Sequence, residues 1–345
     1  MALKSGNTVI QNLVSGDPYL PGLFPCFLLK IRCNIIPCPT AQLKPQSLIT
    51  GKNRSKMLRK LLHFNLIALL ILLTSGCFSV SDQEQLLSSS GEIRTDNPYC
   101  PDSTVSTETT ATIDVQGFTL VSWNIYKENK TGWQQDLLAL SNSSDLILLQ
   151  EAYLTDALNQ LLKTSGQHWD MISAFHYRGI HAGVMTIANI PSQASCAQRA
   201  TEPLAFLPKS SLITYYPISN TQHTLLVANI HAINFTFGIE EFSEQLLKIK
   251  KILARHQGPI VFGGDFNTWS EQREIALDQL VGTEQLGLLK VEFVSDVEMR
   301  VWGHRLDHIF FRGLQVTSAE IIPVDSSDHY PLKVQFKFVP EAEIK

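Results

Sequence analysis

Between residues 113 and 338, short apolar runs alternate with polar turns and a few amphipathic stretches. Nine runs have the length and the β-branched or aromatic content that are typical of strands. They are 118–125, 145–151, 183–188, 212–216, 225–231, 259–262, 306–311, 316–322 and 332–338. Four stretches have helical spacing, namely 133–140, 154–164, 240–256 and 271–280.

The longest helical stretch, EEFSEQLLKIKKILARH at 240–256, shows the pattern most clearly. Its apolar residues recur at three- and four-residue steps, with acidic residues in the first turn and basic residues in the last. Many strands, few helices and no repeat of 20 to 50 residues predict two packed sheets with helices outside. The fold class we expect is α/β (α+β).

Composition and charge narrow the choice of partners. The chain has 345 residues, 44% of them hydrophobic and 17% charged, as in a folded globular protein. From residue 111 onward, 18 Lys and Arg face 25 Asp and Glu. Proteins that hold long duplex DNA usually present a basic face, so this acidic balance disfavours that class of partner.

The amino-terminal third indicates export. Residues 57–77, MLRKLLHFNLIALLILLTSGC, have a basic start, an apolar run at 66–73 and small residues before Cys77, as in a signal peptide with a lipobox. The run is short for a membrane span. We expect a lipid anchor at Cys77 or ordinary cleavage, and a protein of the bacterial envelope or periplasm. A buried helix, or a cytoplasmic protein, is the alternative.

The remaining boundaries follow from composition. Residues 1–56 precede Met57, and we expect them to be a mis-assigned upstream extension or disordered, with no function assigned. Residues 78–112 are rich in Ser, Thr, Asp, Glu and Gln and predict a flexible linker. Residues 113–338 form the expected catalytic domain, and 339–345 form a tail. Cys100 and Cys196 form one disulfide or stay as two thiols; both readings stay open.

Polar residues recur where the predicted strands end or begin. Taken alone, each of these polar residues has an ordinary structural explanation, as a turn residue or as a hydrogen-bonded histidine. Six such coincidences instead indicate one site at a sheet edge. The segments are VSWNIYK with Asn124, LLQEAY with Glu151, NIHAINF with His231, GGDFNTW with Asp265 and Asn267, RLDHIF with Asp307, and SSDHYP with Asp328 and His329.

The segment GGDFNTW leaves two readings open when it is taken alone. Asp265 or Asn267 could be the N-cap of the helix predicted at 271–280. The two preceding glycines instead indicate crowded backbone or an unusual dihedral at a strand end.

The chemistry that these side chains share is phosphoester hydrolysis. A hard cation such as Mg²⁺ takes one or two carboxylates and stabilises the charge of the transition state. A carboxylate or an amide orients the attacking water, and a histidine beside a buried aspartate stays protonated to contact the phosphate. The sequence has no Cys/His zinc tetrad, phosphate-binding glycine loop or G-x-S-x-G elbow.

These six motifs, in this order, resemble the endonuclease/exonuclease/phosphatase superfamily, which includes DNase I-like nucleases, sphingomyelinases and inositol phosphatases. LVSWNIYK, NIHAINF and GGDFNTW are similar to the bacterial YafD-like branch. The resemblance implies a DNase I-like four-layer sandwich of two packed mixed β-sheets flanked by helices. It also implies a Mg²⁺ or Mn²⁺ cofactor and a phosphoester substrate: nucleic acid, a phospholipid headgroup or a small phosphoester.

The resemblance also implies a role for each residue. Glu151 and Asn124 would bind the metal, with Asp328 supporting the metal or a histidine. Asp265 would orient or deprotonate water, and Asn267 would support the transition state. His231 and His329 would contact the phosphate, and Asp307 would hold a histidine; which aspartate serves which histidine stays open. His308 stands where many members have Tyr.

The function that we expect is therefore a metal-dependent phosphodiesterase or phosphatase, monomeric and in the cell envelope. A DNase I-like endonuclease or exonuclease is the first alternative. A catalytically silent envelope lipoprotein is the second, and the retention of every catalytic residue type argues against it.

Overall fold

A computed structural model describes residues 78–95, 100, 111–204, 207–294 and 300–339. The upstream extension 1–56, the signal segment with Cys77, and residues 340–345 of the tail lie outside the described residues. Within the part described, no helix combines the length and the hydropathy that crossing a membrane requires.

The described chain forms seventeen strands and four α-helices. The strands are β1 Phe78–Ser79, β2 Gln85–Ser88, β3 Ile93–Arg94, β4 Phe118–Asn124, β5 Leu146–Tyr153, β6 His168–Tyr177, β7 Ile180–Ala188, β8 Ala194–Thr201, β9 Pro208–Pro217, β10 Thr224–His231, β11 Ile260–Asp265, β12 Leu289–Lys290, β13 Arg300–Val301, β14 His304–Arg305, β15 Asp307–Arg312, β16 Leu314–Ile321 and β17 Leu332–Phe338. The helices are α1 Trp133–Ser141, α2 Asp156–Thr164, α3 Glu240–Leu253 and α4 Glu271–Val281.

Two large mixed sheets organise these strands. The first has nine strands, in the order β16-β17-β4-β5-β7-β6-β2-β3, with β1 paired to β6. The second has six, in the order β12-β15-β11-β10-β9-β8, and β13 pairs with β14 separately. The pairs β4–β5 and β10–β11 are parallel. The carboxyl ends of each parallel pair therefore meet at one edge of their sheet.

Apolar side chains fill the three spaces between four layers, which are the two sheets and an outer layer of helices on each. Leu146 and Leu148 of the first sheet pack against Val227 and Val261 of the second. Helices α1 and α2 cover the outer face of the first sheet. Helices α3 and α4 cover the outer face of the second, with Phe242 in that core. The four-layer sandwich is confirmed.

All nine predicted strands and all four predicted helices are present, with shifted ends. The long strands β6 and β8 were not predicted, nor were the short strands β1, β2, β3, β12, β13 and β14. β8 reads ASCAQRAT, whose small and polar residues have low strand propensity, and it is stabilised by its pairing with β9.

Residues 78–95, the first described part of the stretch 78–112 expected to be a flexible linker, contain three strands and differ from that expectation. Strand β2 pairs with β6, and β1 pairs with the carboxyl end of β6. Leu86 and Leu87 are buried in the core, which explains why this stretch is ordered against the sheet. Cys100 and Cys196 form a disulfide, so of the two readings left open the paired one holds.

Candidate active site

The predicted site residues gather at the end of the sandwich where β4, β5, β10 and β11 finish; we call it the catalytic edge. Asn124 pairs with Gln150 across β4 and β5. His231 pairs with Asp265 across β10 and β11, and Asp265 pairs with Asp307 across β11 and β15. Residues far apart in sequence therefore meet through strand register.

A buried amide bridge connects the two sheets just beneath this edge. Gln150 Nε2 donates to Asn229 Oδ1 at 2.7 Å, and Asn229 Nδ2 donates to the Met185 carbonyl at 2.9 Å. Both side chains are fully buried, where such groups need partners. The bridge fixes the spacing between the sheets, and so between Glu151 and Asp265.

Glu151 enters the site through an irregular backbone. A β-bulge interrupts the β5–β7 pairing beside it, and its φ is +53°, which side-chain-bearing residues rarely adopt. Its carboxylate pairs with the Lys127 ammonium. Lys127 lies in a turn in which Tyr126, Lys127 and Glu128 all have positive φ. Such strain concentrates at functional sites.

Asp265 is the buried carboxylate at the centre of the site. The Asn124 amide donates to its Oδ2 at 3.0 Å, and the Asn267 N–H donates to its Oδ1 at 2.9 Å. Burial raises the pKa of Asp265 to about 6. Gly264 precedes it with φ +140°, and a Cβ there would lie 2.1 Å from the Ile230 carbonyl oxygen. The crowded-backbone reading of GGDFNTW is therefore right for Gly264.

Asn267 has a structural partner as well as a place in the site. Its side-chain amide donates to the Ala232 carbonyl at 2.9 Å, and its φ is +50°. Helix α4 begins at Glu271 with Ser270 at the N-cap position. The alternative in which Asp265 or Asn267 caps this helix is therefore wrong.

His329 and Asp307 form the charged pair of the site. His329 Nδ1 lies 2.7 Å from Asp307 Oδ2, and both side chains are largely buried. Burial alone lowers the pKa of His329, but the carboxylates of Asp307, Asp265 and Asp328 outweigh it and raise the pKa to about 10. The imidazole is therefore an imidazolium at neutral pH.

Ser327 positions His329. Its hydroxyl accepts from the His329 N–H at 3.1 Å and donates to the Asn124 carbonyl at 2.6 Å. The Trp123 indole donates to the His329 carbonyl at 3.1 Å. These contacts join the loop before β17 to the end of β4.

Two predicted or flagged residues lie apart from this cluster. Asp328 is exposed, and the Ser327 hydroxyl lies 3.4 Å from its Oδ1. His308 Nε2 contacts the Thr268 hydroxyl at 2.8 Å, on the opposite face of β15 from Asp307. Burial, followed by Lys290 and Arg305, lowers the pKa of His308 to about 3, so it is neutral.

His231 differs from the protonated histidine expected at this position. Burial, with Lys209 as the next cause, lowers its pKa well below the ordinary value. The Lys209 ammonium lies 2.8 Å from His231 Nε2 and can donate to it only when the ring is neutral there. Its Nε2 is also 3.5 Å from Asp265 Oδ2 and 4.0 Å from Glu151 Oε1. The positive charge here is therefore on Lys209.

The donor set fits a hard divalent cation. Asp265, Asp307 and His329 each offer an atom within 4.8 Å of the others, a spacing that could hold a metal. The contact between His329 Nδ1 and Asp307 favours a hydrogen-bonded pair there. Glu151, Asp265 and Asn124 supply carboxylate and amide oxygens, which Mg²⁺ and Mn²⁺ prefer.

Sequence reasoning missed Lys127, Lys209 and Ser327. Lys127 follows Asn124 by three residues, which a search for cations beside a predicted carboxylate could have found. Lys209 opens β9, 22 residues before His231, and carries no local signal. Only the antiparallel β9–β10 pairing brings it to the site.

Comparison with known proteins agrees with this geometry. The chain is 41% identical over 263 residues to a UPF0294 protein of Vibrio campbellii, covering 75% of this chain and 90% of that protein. It is 42% identical over 218 residues to a UPF0294 protein of Yersinia pseudotuberculosis, covering 63% and 83%. These homologues confirm the resemblance to the YafD-like branch.

Solved structures share the fold. The catalytic domain of human Nocturnin with bound sulfate has a TM-score of 0.51 at 18% identity, covering 66% of this chain and 97% of that one. An endonuclease/exonuclease/phosphatase from Bacteroides vulgatus also has a TM-score of 0.51 at 18% identity, covering 65% and 99%. Residues 121–329 match the sequence profile of the Endonuclease/Exonuclease/phosphatase family. With the site and the sandwich in agreement, the chain belongs to the endonuclease/exonuclease/phosphatase family.

Proposed function

We propose that the protein is a divalent-cation-dependent phosphoester hydrolase, with phosphodiesters as its first class of substrate. The observation that carries the proposal is the convergence of a carboxylate of raised pKa, an imidazolium and an ammonium. Asp265, His329 and Lys209 all border the same point at the catalytic edge. Hydrolysis of a phosphoester needs a proton acceptor for water and positive charge on the phosphoryl oxygens.

Each side chain has a distinct part in this proposal. Asp265, whose pKa of about 6 is close to neutrality, orients the attacking water and accepts its proton. The His329 imidazolium, held by Asp307, donates a hydrogen bond to a phosphoryl oxygen or to the leaving oxygen. The Lys209 ammonium balances a second phosphoryl oxygen. Asn124 keeps Asp265 in place through its amide.

Glu151, with Asn124, is the proposed holder of the cation. When bound, Mg²⁺ or Mn²⁺ would supply charge stabilisation for the phosphoryl group. The Glu151 carboxylate pairs with the Lys127 ammonium, which a bound cation would have to displace or share. Asp328, from its exposed position, would support the charge of His329.

We also propose that the protein acts in the cell envelope. The signal-like segment 57–77 is one support. The Cys100–Cys196 disulfide is another, since such bonds persist in oxidising compartments.

The test is hydrolysis of bis-p-nitrophenyl phosphate, p-nitrophenyl phosphate, plasmid DNA and sphingomyelin, each with Mg²⁺, Mn²⁺ or EDTA. Asp265→Asn should lower kcat/KM on the order of 10²- to 10⁴-fold, because the proton acceptor is lost. Asp278→Asn, on the exposed face of α4, is the matched control and should be unchanged. Folded protein without turnover on any substrate, or full activity in Asp265→Asn, would contradict the proposal.

A further inference from the structure

We propose that the catalytic edge docks on the surface of a phospholipid bilayer through a rim of exposed apolar side chains. The apolar rim consists of Phe78, Phe235, Phe237 and Trp302. The docking rests on the surface chemistry; that the bilayer also supplies the phosphoester rests on the proposed function.

The rim side chains are exposed to an unusual degree. Phe237 is 93% exposed and Trp302 79%, two of the three highest values among large apolar residues of the described chain. Phe235 is 56% exposed and Phe78 44%. Single exposed apolar residues are ordinary, but a group of them around one site marks an interaction surface.

The rim residues lie at one end of the molecule, on several elements. Phe235 and Phe237 follow His231, at the carboxyl end of β10. Trp302 lies between β13 and β14, five residues before Asp307. Phe78 pairs with Tyr177 at the end of the β6–β7 hairpin, which extends past Glu151.

A buried charged network holds the loop that displays the two phenylalanines. The Glu202 carboxylate accepts the N–H groups of Asn234 and Phe235, at 2.6 and 2.8 Å. The Arg273 guanidinium donates to the carbonyls of Ile233 and Asn234, at 2.5 and 2.8 Å. Glu202 and Arg273 are almost fully buried. The loop is therefore fixed while Phe235 and Phe237 point to solvent.

The same network extends to Trp302. The Trp269 indole donates to Asn234 Oδ1 at 2.9 Å, and its ring meets Trp302 edge-on with the centroids 5.4 Å apart. The aromatic group on the His231 side of the site is thus one connected surface. An amphipathic Trp beside exposed Phe is typical of side chains that enter the interfacial region of a bilayer.

The position of Phe78 identifies the occupant. The sequence immediately before Phe78 is the segment 57–77, whose apolar run ends at residue 73. With the apolar run retained or with a lipid on Cys77, the membrane-directed end of the chain therefore adjoins Phe78. Phe78 stacks with Phe175 and Tyr177, at centroid distances of 5.8 and 4.9 Å, and Arg178 lies over the Tyr177 ring. This edge combines aromatic rings with a cation, a pairing that suits lipid headgroups.

Nucleic acid bases also stack on aromatic side chains, but the observations favour lipid. The acidic balance from residue 111 onward offers little for a long phosphate backbone. A single-stranded oligonucleotide therefore enters the test as the competing occupant.

The test uses the full chain, reconstituted in vesicles of phosphatidylcholine and phosphatidylglycerol with plain or brominated acyl chains. Bromine quenches the fluorescence of a tryptophan that enters the acyl boundary. The difference in fluorescence between the native protein and Trp302→Phe gives the signal of Trp302 alone. We expect strong quenching of the Trp302 signal in the brominated vesicles. Phe237→Ser should reduce the ratio of docked to undocked protein about tenfold, because one buried aromatic contact is lost.

Leu247→Ser is the matched control, because Leu247 is exposed on α3 and has no place in the rim. It should leave the quenching unchanged. Asp265→Asn should dock normally and lose hydrolysis, so full hydrolysis in this variant with retained quenching would contradict the proposed function and leave docking intact. Equal Trp302 emission in plain and brominated vesicles would overturn docking. Oligonucleotide binding that depends on Phe237, in protein that does not bind vesicles, would also overturn it.

Discussion

Two Asp-His dipeptides in the carboxyl-terminal part of the chain look alike in sequence and differ completely in structure. In Asp307-His308 the aspartate faces the site and the histidine faces Thr268. In Asp328-His329 the aspartate is exposed and the histidine is buried. The contact at the candidate site is formed across the two dipeptides, by Asp307 and His329.

The two histidines show what decides protonation. Both are buried, and burial alone lowers the pKa of each. His329 contacts a carboxylate and has a pKa of about 10, whereas His308 contacts a hydroxyl near two cations and has a pKa of about 3. The nearest charged partner, rather than depth of burial, therefore separates the imidazolium of His329 from the neutral imidazole of His308.

The largest difference between the two histidines should appear in activity. His329→Gln is expected to lower kcat/KM on bis-p-nitrophenyl phosphate by roughly 10²- to 10⁴-fold, because it removes the proton and the charge that meet the phosphate. For the fraction of His308→Gln that remains folded, kcat/KM should stay within several-fold of the native value. Similar losses of kcat/KM in both variants, at equal folded fraction, would mean that the two histidines do not differ in their importance for activity.

Asp307→Asn should separate the effect of the negative charge of Asp307 on His329 from the effect of its position. The amide can still contact the imidazole, but without its negative charge the pKa of His329 should fall from about 10 toward its ordinary value. The imidazole ¹⁵N and ¹³C shifts of metal-free protein, followed from pH 5 to pH 10, measure this directly. Because the pKa of folded His329 is raised, the native pair stabilises the fold fully below about 6.5 and loses that contribution as pH rises through about 10. A His329 titration that is the same in both proteins would show that Asp307 does not set it.

Asp328→Asn should have a smaller effect than Asp307→Asn. Asp328 is exposed, and solvent screens its influence on His329. We expect kcat/KM to fall by no more than about tenfold. Calorimetry on the same preparation measures the apparent affinity for the divalent cation. A loss as large as that of Asp307→Asn would give Asp328 a direct contact with the cation or substrate.

The last expected effect is on stability in mild acid. Burial, the largest cause in each, lowers the pKa of His308 to about 3 and that of His256 to about 4. Between about pH 6.5 and 4 the unfolded chain binds protons that these two histidines do not bind when folded, so their contribution to stability falls as pH falls, by about 1.4 kcal/mol per unit for each fully affected group.

Urea unfolding at pH 7 and pH 5 tests this. His256→Gln keeps a donor for the Thr224 carbonyl, which His256 Nε2 contacts at 3.0 Å, and removes one titrating group. The variant should therefore lose less stability than the native protein between the two pH values. Parallel losses would mean that His256 is not a source of the acid sensitivity.

Much of the fold followed from local pattern. The run FTLVSWN and the helix EEFSEQLLKIKK have the periodicity and the end charges of the elements that they form. The strand β8 did not follow, because its stability comes from pairing with β9 rather than from its own residues. Residues 85–88 were read as linker for a related reason, since a short strand in a polar stretch is recognisable only once its partner β6 is known.

The sequence by itself determined the family and the residue types of the site, because six ordered motifs carry Asn124, Glu151, His231, Asp265, Asp307 and His329. The tertiary structure decided the pairings: Asp307 with His329, Lys209 with His231 and Lys127 with Glu151. Those pairings depend on strand register and on the alternation of faces along β15, so they exist only after the sheets have assembled. They set which groups are charged, because a pKa responds to neighbours in space and to burial rather than to neighbours in sequence.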